Sequence, residues 1–326
     1  FIRGRAYHRV GSIDLAAEDY DAAIALTPNN EEIYLASANI DFRRGLDTEA
    51  LGKIQKAIAI NPTSPRVLRS IGAVFSSAGQ TEGALRFLNS ALRIDPKEPY
   101  ALLLRSQINA QKRNFETAVA DATTLIDIPA EEINRNGYLD ADGKQRDFHA
   151  AALLHRADLY EQLGRPDAAE ADYDRAVAYQ ASPFALLARG EFLANRQGRE
   201  TAALRDLDAV LRDEPREARA HFSRGVALTN LRRHADAIKA FDEAVKAQSS
   251  FPAAFRMRAR ANRELGRSEA AINDFVTALR QDSTMMRQIM PALSSGGYWP
   301  SAEIPTAITA ELRSAILKCM NDRKCN

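Results

Sequence analysis

The chain has little cysteine and almost no net charge. Only two of its 326 residues are cysteine, Cys319 and Cys325, and both lie near the C-terminus. So few cysteines exclude a small fold stapled by disulfides. The 44 basic residues nearly balance the 43 acidic residues. No overall electrostatic field therefore draws the chain to nucleic acid or to an acidic membrane surface, and we expect no nucleic-acid partner.

Long apolar runs and catalytic motifs are missing as well. No run approaches the roughly 20 apolar residues that span a bilayer. The motifs HExxH, GxSxG, GxGxxG and the phosphate-binding glycine loop are absent from the sequence. The histidines are scattered, with no carboxylate or cysteine spacing typical of a metal site: His8, His149, His155, His221 and His234. We therefore expect no enzymatic activity and no cofactor or metal.

A repeat of 34 residues organises what is present. Alanine recurs at this interval in two series, Ala16, Ala50, Ala84, Ala118 and then Ala169, Ala203, Ala237, Ala271. Glycine keeps the same interval at Gly11, Gly45, Gly79, Gly164, Gly198 and Gly266. Arg113 and Arg232 fill the two remaining glycine positions. The chain therefore contains eight copies of one unit.

Each copy has the pattern of two amphipathic helices. In ADLYEQLGRPDAAEADYDRAVA, apolar residues recur three or four apart on both sides of Gly164. Glycine suits the left-handed turn at a helix C-terminus. Prolines end the second helix in half of the copies, at Pro28, Pro62, Pro96 and Pro215. The pattern predicts helix, tight turn, helix.

This pattern resembles the tetratricopeptide repeat (TPR) family. The residues that carry the resemblance include RGRAYHRVGSIDLAAEDYDAAIALTPNN at 3–30 and SRGVALTNLRRHADAIKAFDEAV at 223–245. The resemblance implies an all-α fold, a right-handed α-solenoid (superhelix) of helix-turn-helix repeats. We assign residues 1–282 to an array of eight repeats and residues 283–326 to a C-terminal capping extension.

The array departs from the repeat at three places. The first copy lacks the opening turn of its first helix, so we expect the natural protein to extend upstream of Phe1. The sixth copy has one extra residue between Gly190 and Gly198, which predicts an irregular helix end or turn. An insertion at 129–149 separates the fourth and fifth copies. Its turn-forming residues predict a loop rather than a calcium site: Asn134, Asn136, Gly137, Asp140, Asp142 and Gly143.

The resemblance also implies a binding surface. In TPR proteins the first helix of each repeat lines a concave groove that grips peptides or partner segments. The residues at such positions here are Arg5, His8, Asn39, Arg69, Tyr100, Gln107, Asp158, Glu161, Arg256 and Arg260. The family's clamp for a C-terminal carboxylate is not matched, because Phe1, Arg5, Ala36 and Ser70 occupy its positions. We predict a protein or peptide ligand of another kind.

Aspartate recurs on the second helices, at Asp19, Asp172, Asp206 and Asp274. We interpret this recurrence as structural, with local pairing along the second helix, and not as a catalytic set.

After the last repeat, Ile308, Leu312, Ile316 and Met320 share one helical face and predict a capping helix. A weaker resemblance to small peptidoglycan-binding modules, through Gly297-Tyr298-Trp299, is left open.

The two cysteines suggest a location. Residues six apart in one regular helix are about 9 Å apart along the axis, too far for a disulfide. A Cys319–Cys325 disulfide therefore requires the helix to end near Asn321 or Asp322. We favour that disulfide over two incidental thiols, and with it a periplasmic or secreted protein over a cytoplasmic one.

These observations predict a scaffold or adaptor that binds a protein or peptide partner in its groove. The alternatives are a regulatory or targeting region of a larger enzyme or cell-envelope assembly, and a protein that associates with peptidoglycan through its C-terminal segment.

Overall fold

A computed structural model describes residues 1–135, 148–301, 303 and 308–322. Within these ranges the chain forms 19 helices and no strand. It divides into two compact units, residues 1–172 and 173–326. No helix in the described part of the chain is long and apolar enough to cross a membrane.

The first unit contains four of the eight predicted helix pairs and the first helix of a fifth. Its helices are α1 (Ile2–Arg9), α2 (Ile13–Leu26), α3 (Glu31–Arg43), α4 (Asp47–Ile60), α5 (Pro65–Ser77), α6 (Thr81–Ile94), α7 (Pro99–Gln111), α8 (Phe115–Ile126), α9 (Ala130–Arg135) and α10 (Phe148–Gln162). The fifth pair is completed by α11 (Pro166–Tyr179), which runs across the division between the units. From α1 to α8 consecutive helices pack on each other. First helices of successive copies also pack together, as α3 does on α5 and α5 on α7.

The second unit contains the remaining three pairs and the C-terminal extension. Its helices are α12 (Pro183–Ala194), α13 (Glu200–Asp213), α14 (Ala218–Asn230), α15 (His234–Ala247), α16 (Pro252–Glu264), α17 (Ser268–Gln281), α18 (Ser283–Ser295) and α19 (Ala310–Asn321). The eight helix pairs and the all-α solenoid predicted from the repeat are confirmed.

The repeated residues have the structural roles that their spacing predicts. All eight alanines of the 34-residue series are buried, with at most 1% of each exposed. The six repeated glycines have positive φ angles between 66° and 82°, as the turn after the first helix requires. Arg113 and Arg232 adopt the same conformation, with φ of 63° and 59°. The turn geometry therefore belongs to the repeat and is kept even where glycine is replaced.

The sixth copy is irregular in its turn. Helix α12 ends at Ala194, and the segment from Asn195 to Arg199 leads into α13 through Gly198, whose φ is 81°. In the second copy only three residues, Arg44 to Leu46, separate α3 from α4. The extra residue is therefore accommodated in the turn.

The insertion begins with a helix and not with the predicted loop. Residues Ala130–Arg135 form α9, with Glu131 and Glu132 in its first turn and Ile133 buried. Acidic residues stabilise the positive end of the helix dipole, which explains why this polar segment is helical. The remaining turn-forming residues, Asn136, Gly137, Asp140, Asp142 and Gly143, lie outside the described residues.

The end of the array is covered by two helices, of which only α19 was predicted. Leu312, Ile316 and Met320 of α19 are buried in one core with residues of α17 and α18. Ile308, Tyr298 and Trp299 pack against the same core. Arg263 of α16 donates to the carbonyl oxygen of Met320 at 3.1 Å, and Arg313 forms an ion pair with Glu269 at 2.8 Å. The predicted capping helix is confirmed.

Of the two C-terminal cysteines, only Cys319 lies within the residues that the structure describes. Cys319 is 0% exposed and belongs to the capping core. Helix α19 ends at Asn321, where the predicted disulfide requires it to end. Cys325 lies outside the described residues, so the pairing with Cys319 stays a prediction.

Candidate functional site

A cavity of about 820 Å³ lies in the first unit and is lined mainly by the first helices of three successive copies, α1, α3 and α5. We call this cavity the N-terminal groove. Its floor is apolar, with Leu35, Val67 and Val74 nearly buried, and its sides are polar. The groove is formed here because the first helices of successive copies lie side by side, so that corresponding positions on each helix share one surface.

The structure brings four of the ten predicted groove residues together. Arg5 and His8 of α1, Asn39 of α3 and Arg69 of α5 all line the N-terminal groove. Arg5 is half exposed and lies 4.0 Å from Glu32. The Asn39 side chain donates a hydrogen bond to the Ser77 hydroxyl.

The other six predicted residues do not line this groove. Tyr100 is half-buried and contacts Arg69 from α7, while Gln107 is exposed on the same helix. Asp158 and Glu161 are exposed on α10. Arg256 and Arg260 are exposed on α16, in the second unit. The groove role of these six residues stays a prediction.

Arg69 supports the fold as well as lining the groove. Its Nε lies 3.4 Å from Oε1 of Glu98, a residue that is 1% exposed. The Arg69 guanidinium lies 4.6 Å from the centre of the Tyr100 ring, and Glu98 also accepts a hydrogen bond from the backbone N–H of Ala101. Replacing Arg69 by glutamate would place a second negative charge beside the buried Glu98 carboxylate, which is unfavourable. Arg69 is therefore a poor position at which to test binding.

The groove residues that the sequence reasoning missed include two exposed arginines. Arg43 lies in the last turn of α3 and Arg66 in the first turn of α5, and both are exposed and line the groove. Among the described residues neither forms an ion pair or a side-chain hydrogen bond. Helical spacing could have identified both, because Arg43 lies four residues after Asn39 and Arg66 three residues before Arg69.

His8 is electrically neutral at neutral pH. Burial lowers the pKa of its imidazole below the usual 6.5, and the positive charge of Arg43 lowers it further. His8 therefore provides one hydrogen-bond donor and one acceptor to the groove.

The repeated aspartates pair with arginines of the first helix, and the predicted local pairing along the second helix is wrong. In five copies an arginine of the first helix donates two parallel hydrogen bonds to an aspartate of the second helix, with distances between 2.5 and 2.9 Å. The pairs are Arg3–Asp19, Arg105–Asp121, Arg156–Asp172, Arg189–Asp206 and Arg258–Asp274. A residue about 16 positions away in sequence lies directly opposite once the helices fold back on each other.

Four of these arginines also connect neighbouring copies. The third nitrogen of each guanidinium donates to a side chain on the second helix of the preceding copy. The bonds are Arg105 to Asn89, Arg156 to Thr123, Arg189 to Asp174 and Arg258 to Asp242, at 2.6 to 2.9 Å. The charges of this set are therefore used in holding helices together.

Within the described residues, no group of three or more histidine, cysteine, aspartate or glutamate side chains could hold a metal ion. His155 has a structural partner, with its Nε2 2.9 Å from the Ser106 hydroxyl.

Stacked helix pairs with a groove along their first helices define the class of protein: an α-solenoid whose architecture is that of a protein–protein interaction scaffold. Family models described as "Tetratricopeptide repeat" match residues 3–65, 150–183, 193–252 and 230–285, together more than half of the chain. The chain belongs to the tetratricopeptide repeat family.

Known proteins share the repeat over part or most of the chain. "Protein CTR9 homolog" of Arabidopsis thaliana is 27% identical over 150 residues, which is 41% of this chain and 13% of that protein. The chain thus corresponds to a small part of this relative. A solved tetratricopeptide repeat protein from Parabacteroides merdae superposes with a TM-score of 0.53 at 18% identity, covering 77% of this chain and 93% of that one. The Cut9-Hcn1 hetero-tetramer of the APC/C superposes with a TM-score of 0.53 at 14% identity, covering 83% of this chain and 50% of that one.

Proposed function

We propose that this protein is a non-enzymatic scaffold or adaptor that binds an extended segment of a protein partner in the N-terminal groove. The observation that carries the proposal is the groove itself, in which the first helices of three copies present exposed side chains along one continuous surface. Such a surface can contact several successive residues of an extended chain, which is how solenoids bind elongated partners.

The test compares two variants with the same change of charge. In the groove variant, Arg43 and Arg66 are both replaced by glutamate. In the control variant, Arg205 and Arg212 of α13 are replaced by glutamate; both are exposed, lie outside the groove, and form no ion pair or side-chain hydrogen bond among the described residues. Reversal at Arg5 together with Arg69 is a less suitable test, because Arg69 supports the buried Glu98.

The measurement is affinity capture from native lysate, with partners identified by mass spectrometry and their affinities then measured by calorimetry. The parent and control variants are expected to retain the same partner, and the groove variant to lose it with an unchanged melting temperature. Equal retention by the groove variant would show that the partner binds elsewhere.

The two alternative functions differ from this proposal in different ways. A regulatory or targeting region of a larger enzyme or cell-envelope assembly would use the same groove, and the full reading frame distinguishes it from a stand-alone adaptor. For peptidoglycan association, residues 284–326 should co-sediment with cell-wall sacculi. Tyr298 and Trp299, the aromatic residues that suggested it, pack on the capping core, which favours a structural role.

A periplasmic or secreted location is proposed from the Cys319–Cys325 pair. Alkylation with and without reductant, followed by mass measurement on protein from its native compartment, tests it. Two alkylated thiols without reductant would contradict both the disulfide and the location.

A further inference from the structure

The N-terminal groove has an excess of positive charge that the rest of the chain does not share. Five arginines line it, Arg5, Arg9, Arg43, Arg66 and Arg69, against two glutamates, Glu31 and Glu32. The whole chain has a formal net charge of only +1. The groove therefore has a positive potential of its own, and not one inherited from the overall composition.

Two arginines of the groove differ from the paired arginines of the first helices in how they are neutralised. Arg105, Arg156 and Arg258 each bind two carboxylate oxygens and a further side chain. Arg43 and Arg66 are exposed in the groove with no such partner among the described residues. These two cations, which no carboxylate of the described residues neutralises, therefore add to the positive potential of the groove.

The position of Arg66 argues against a purely structural explanation. It lies in the first turn of α5, directly after Pro65 and the capping residue Ser64. A cation at a helix N-terminus is unfavourable, because the helix dipole places partial positive charge there. A bound carboxylate would be stabilised both by the Arg66 guanidinium and by that dipole, and would remove the unfavourable interaction.

Arg43 lies in the last turn of α3, and this position alone would suit a cation for structural reasons. Arg43 nevertheless lines the groove together with His8, and its positive charge lowers the pKa of that imidazole. The uncharged side chains of the groove include His8 and Asn39 on its sides and Leu35, Val67 and Val74 on its floor.

We propose that the groove selects a partner segment that has closely spaced acidic side chains alternating with aliphatic ones, with Arg43 and Arg66 binding the carboxylates and the floor receiving the aliphatic residues. This inference rests on the proposed function and adds the chemistry of the partner. Guanidinium groups bind carboxylates in a two-pronged arrangement, which gives direction as well as affinity. The recognised groups are side-chain carboxylates within a segment.

A nucleic acid fits the same groove less well. Single-stranded nucleic acid is held by aromatic rings on which bases stack. The aromatic residues of the groove are Phe1 and Tyr20; Tyr20 is 1% exposed, and its ring packs 5.9 Å from that of Phe1.

The experiment uses the full chain and fluorescein-labelled extended peptides with amidated C-termini, so that no terminal carboxylate is present. One peptide alternates glutamate with valine, a second replaces glutamate by glutamine, and a third replaces it by lysine. A single-stranded oligouridylate is the fourth probe. Binding is measured by fluorescence anisotropy at low and high salt for the parent, the Arg43→Glu/Arg66→Glu variant and the Arg205→Glu/Arg212→Glu control.

We expect the glutamate peptide to bind at least about tenfold more tightly than the glutamine peptide, and added salt to reduce the difference. Reversal at Arg43 and Arg66 should remove this preference and make the lysine peptide the better ligand. The control variant should behave like the parent. Should the reversed variant fail to fold, Arg43→Gln/Arg66→Gln replaces it, with loss of the glutamate preference expected.

The opposing outcomes separate the two proposals. Equal affinity for the glutamate and glutamine peptides, with both lost on changing Arg43 and Arg66, overturns the acidic partner and leaves groove binding intact. Peptide binding that is the same in the parent and in the groove variants overturns the groove assignment as well. Tighter binding of the oligouridylate than of the glutamate peptide overturns the inference in favour of a nucleic-acid ligand.

Discussion

Arg113 and Arg232 adopt the left-handed backbone conformation of the repeat's turn, although this conformation is unfavourable for a residue with a side chain. Both occupy glycine positions with φ near 60°, a conformation in which a side chain meets the following carbonyl oxygen. Their glycine counterparts, for example Gly79 with φ of 73°, would have nothing within 4 Å of an added Cβ, so that the backbone conformation alone favours glycine there.

Replacing either arginine by glycine should therefore stabilise the protein. We expect Arg113→Gly and Arg232→Gly each to raise the free energy of unfolding by about 1 kcal/mol, measured by urea denaturation. The matched control is Ala78→Gly, one residue before the turn glycine Gly79, where φ is −83°. That change relieves nothing and should destabilise. A fall in stability for both arginine variants would refute the argument.

His155 makes stability depend on pH because its imidazole is largely removed from water, where the charged form is unfavourable. The Ser106 hydroxyl donates to the carbonyl oxygen of Ala118 at 2.6 Å, so it must accept from His155, whose neutral form carries its proton on Nε2. Burial lowers the pKa of His155 below 6.5, although the charge of Asp158 opposes this. The unfolded chain therefore takes up a proton at higher pH than the folded protein does.

Stability should fall as the pH drops below about 6.5 and should stop falling below the folded pKa of His155. His8 contributes in the same direction, because its pKa is also lowered. His155→Gln keeps a donor to Ser106 without a titratable group. The melting temperature of this variant should decrease less between pH 7 and pH 5 than that of the parent, and an identical decrease would rule out His155 as the cause.

At the scale of the helix pair, close packing sets the choice between glycine and larger residues. A Cβ on Gly72 of α5 would lie 2.8 Å from the Leu88 side chain of α6 and 3.3 Å from the carbonyl oxygen of Ala84. A Cβ on Gly52 of α4 would have no atom within 4 Å. The first glycine is required for helix contact and the second is not.

The same substitution should thus have opposite effects at these two positions. Gly72→Ala is expected to destabilise the protein by about 1–3 kcal/mol through overpacking. Gly52→Ala should stabilise it by about 0.5–1 kcal/mol, because alanine is the better helix former. Thermal unfolding followed by circular dichroism measures both, and effects of equal sign would contradict the packing argument.

The arginine–aspartate pairs differ in burial, and their contributions should differ accordingly. The Arg156 and Asp172 side chains are 9% and 3% exposed, whereas that of Arg3, which pairs with Asp19, is 75% exposed. We expect Asp172→Asn to destabilise by about 3 kcal/mol, since it leaves a buried arginine without its counter-charge. Asp19→Asn serves as the control and should have a much smaller effect, which added salt should reduce further.

The third copy shows what can replace such a pair. At the equivalent positions it has Ile71, which is buried, and Phe87, whose ring stacks on that of Phe75 with centroids 5.4 Å apart. The helix contact is thus compatible with either ionic or apolar chemistry, because apolar side chains of suitable volume avoid the cost of desolvating charges.

For the whole molecule, the capping helices prevent the apolar surface of α17 from being exposed to water. Leu312 is fully buried in the capping core, whereas Ser314, two residues later on α19, is exposed. Leu312→Ala should lower the free energy of unfolding by about 2–5 kcal/mol and increase the binding of a hydrophobic dye. Ser314→Ala should change neither, and an unaffected Leu312→Ala protein would show that α19 does not cap the array.

Parts of the fold and of the groove were predictable because they depend on positions close in sequence. The 34-residue interval identified the helix pairs and their turns, and the spacing of Leu312, Ile316 and Met320 identified the capping face. Arg5, His8, Asn39 and Arg69 were assigned to one groove because they lie on first helices. Helix α9 was missed, since its turn-forming residues obscured a first turn with two glutamates.

The sequence by itself determined an all-α array of eight helix pairs, because helical periodicity and turn chemistry act over a few residues and repeat along the chain. Tertiary structure alone decided which charged residues are available to a partner. Arg69 is held by Glu98, the repeated aspartates are held by arginines of another helix, and Arg43 and Arg66 face the groove. The strength of an ion pair depends on distance and burial, and neither is set until helices that are separate in sequence lie against each other.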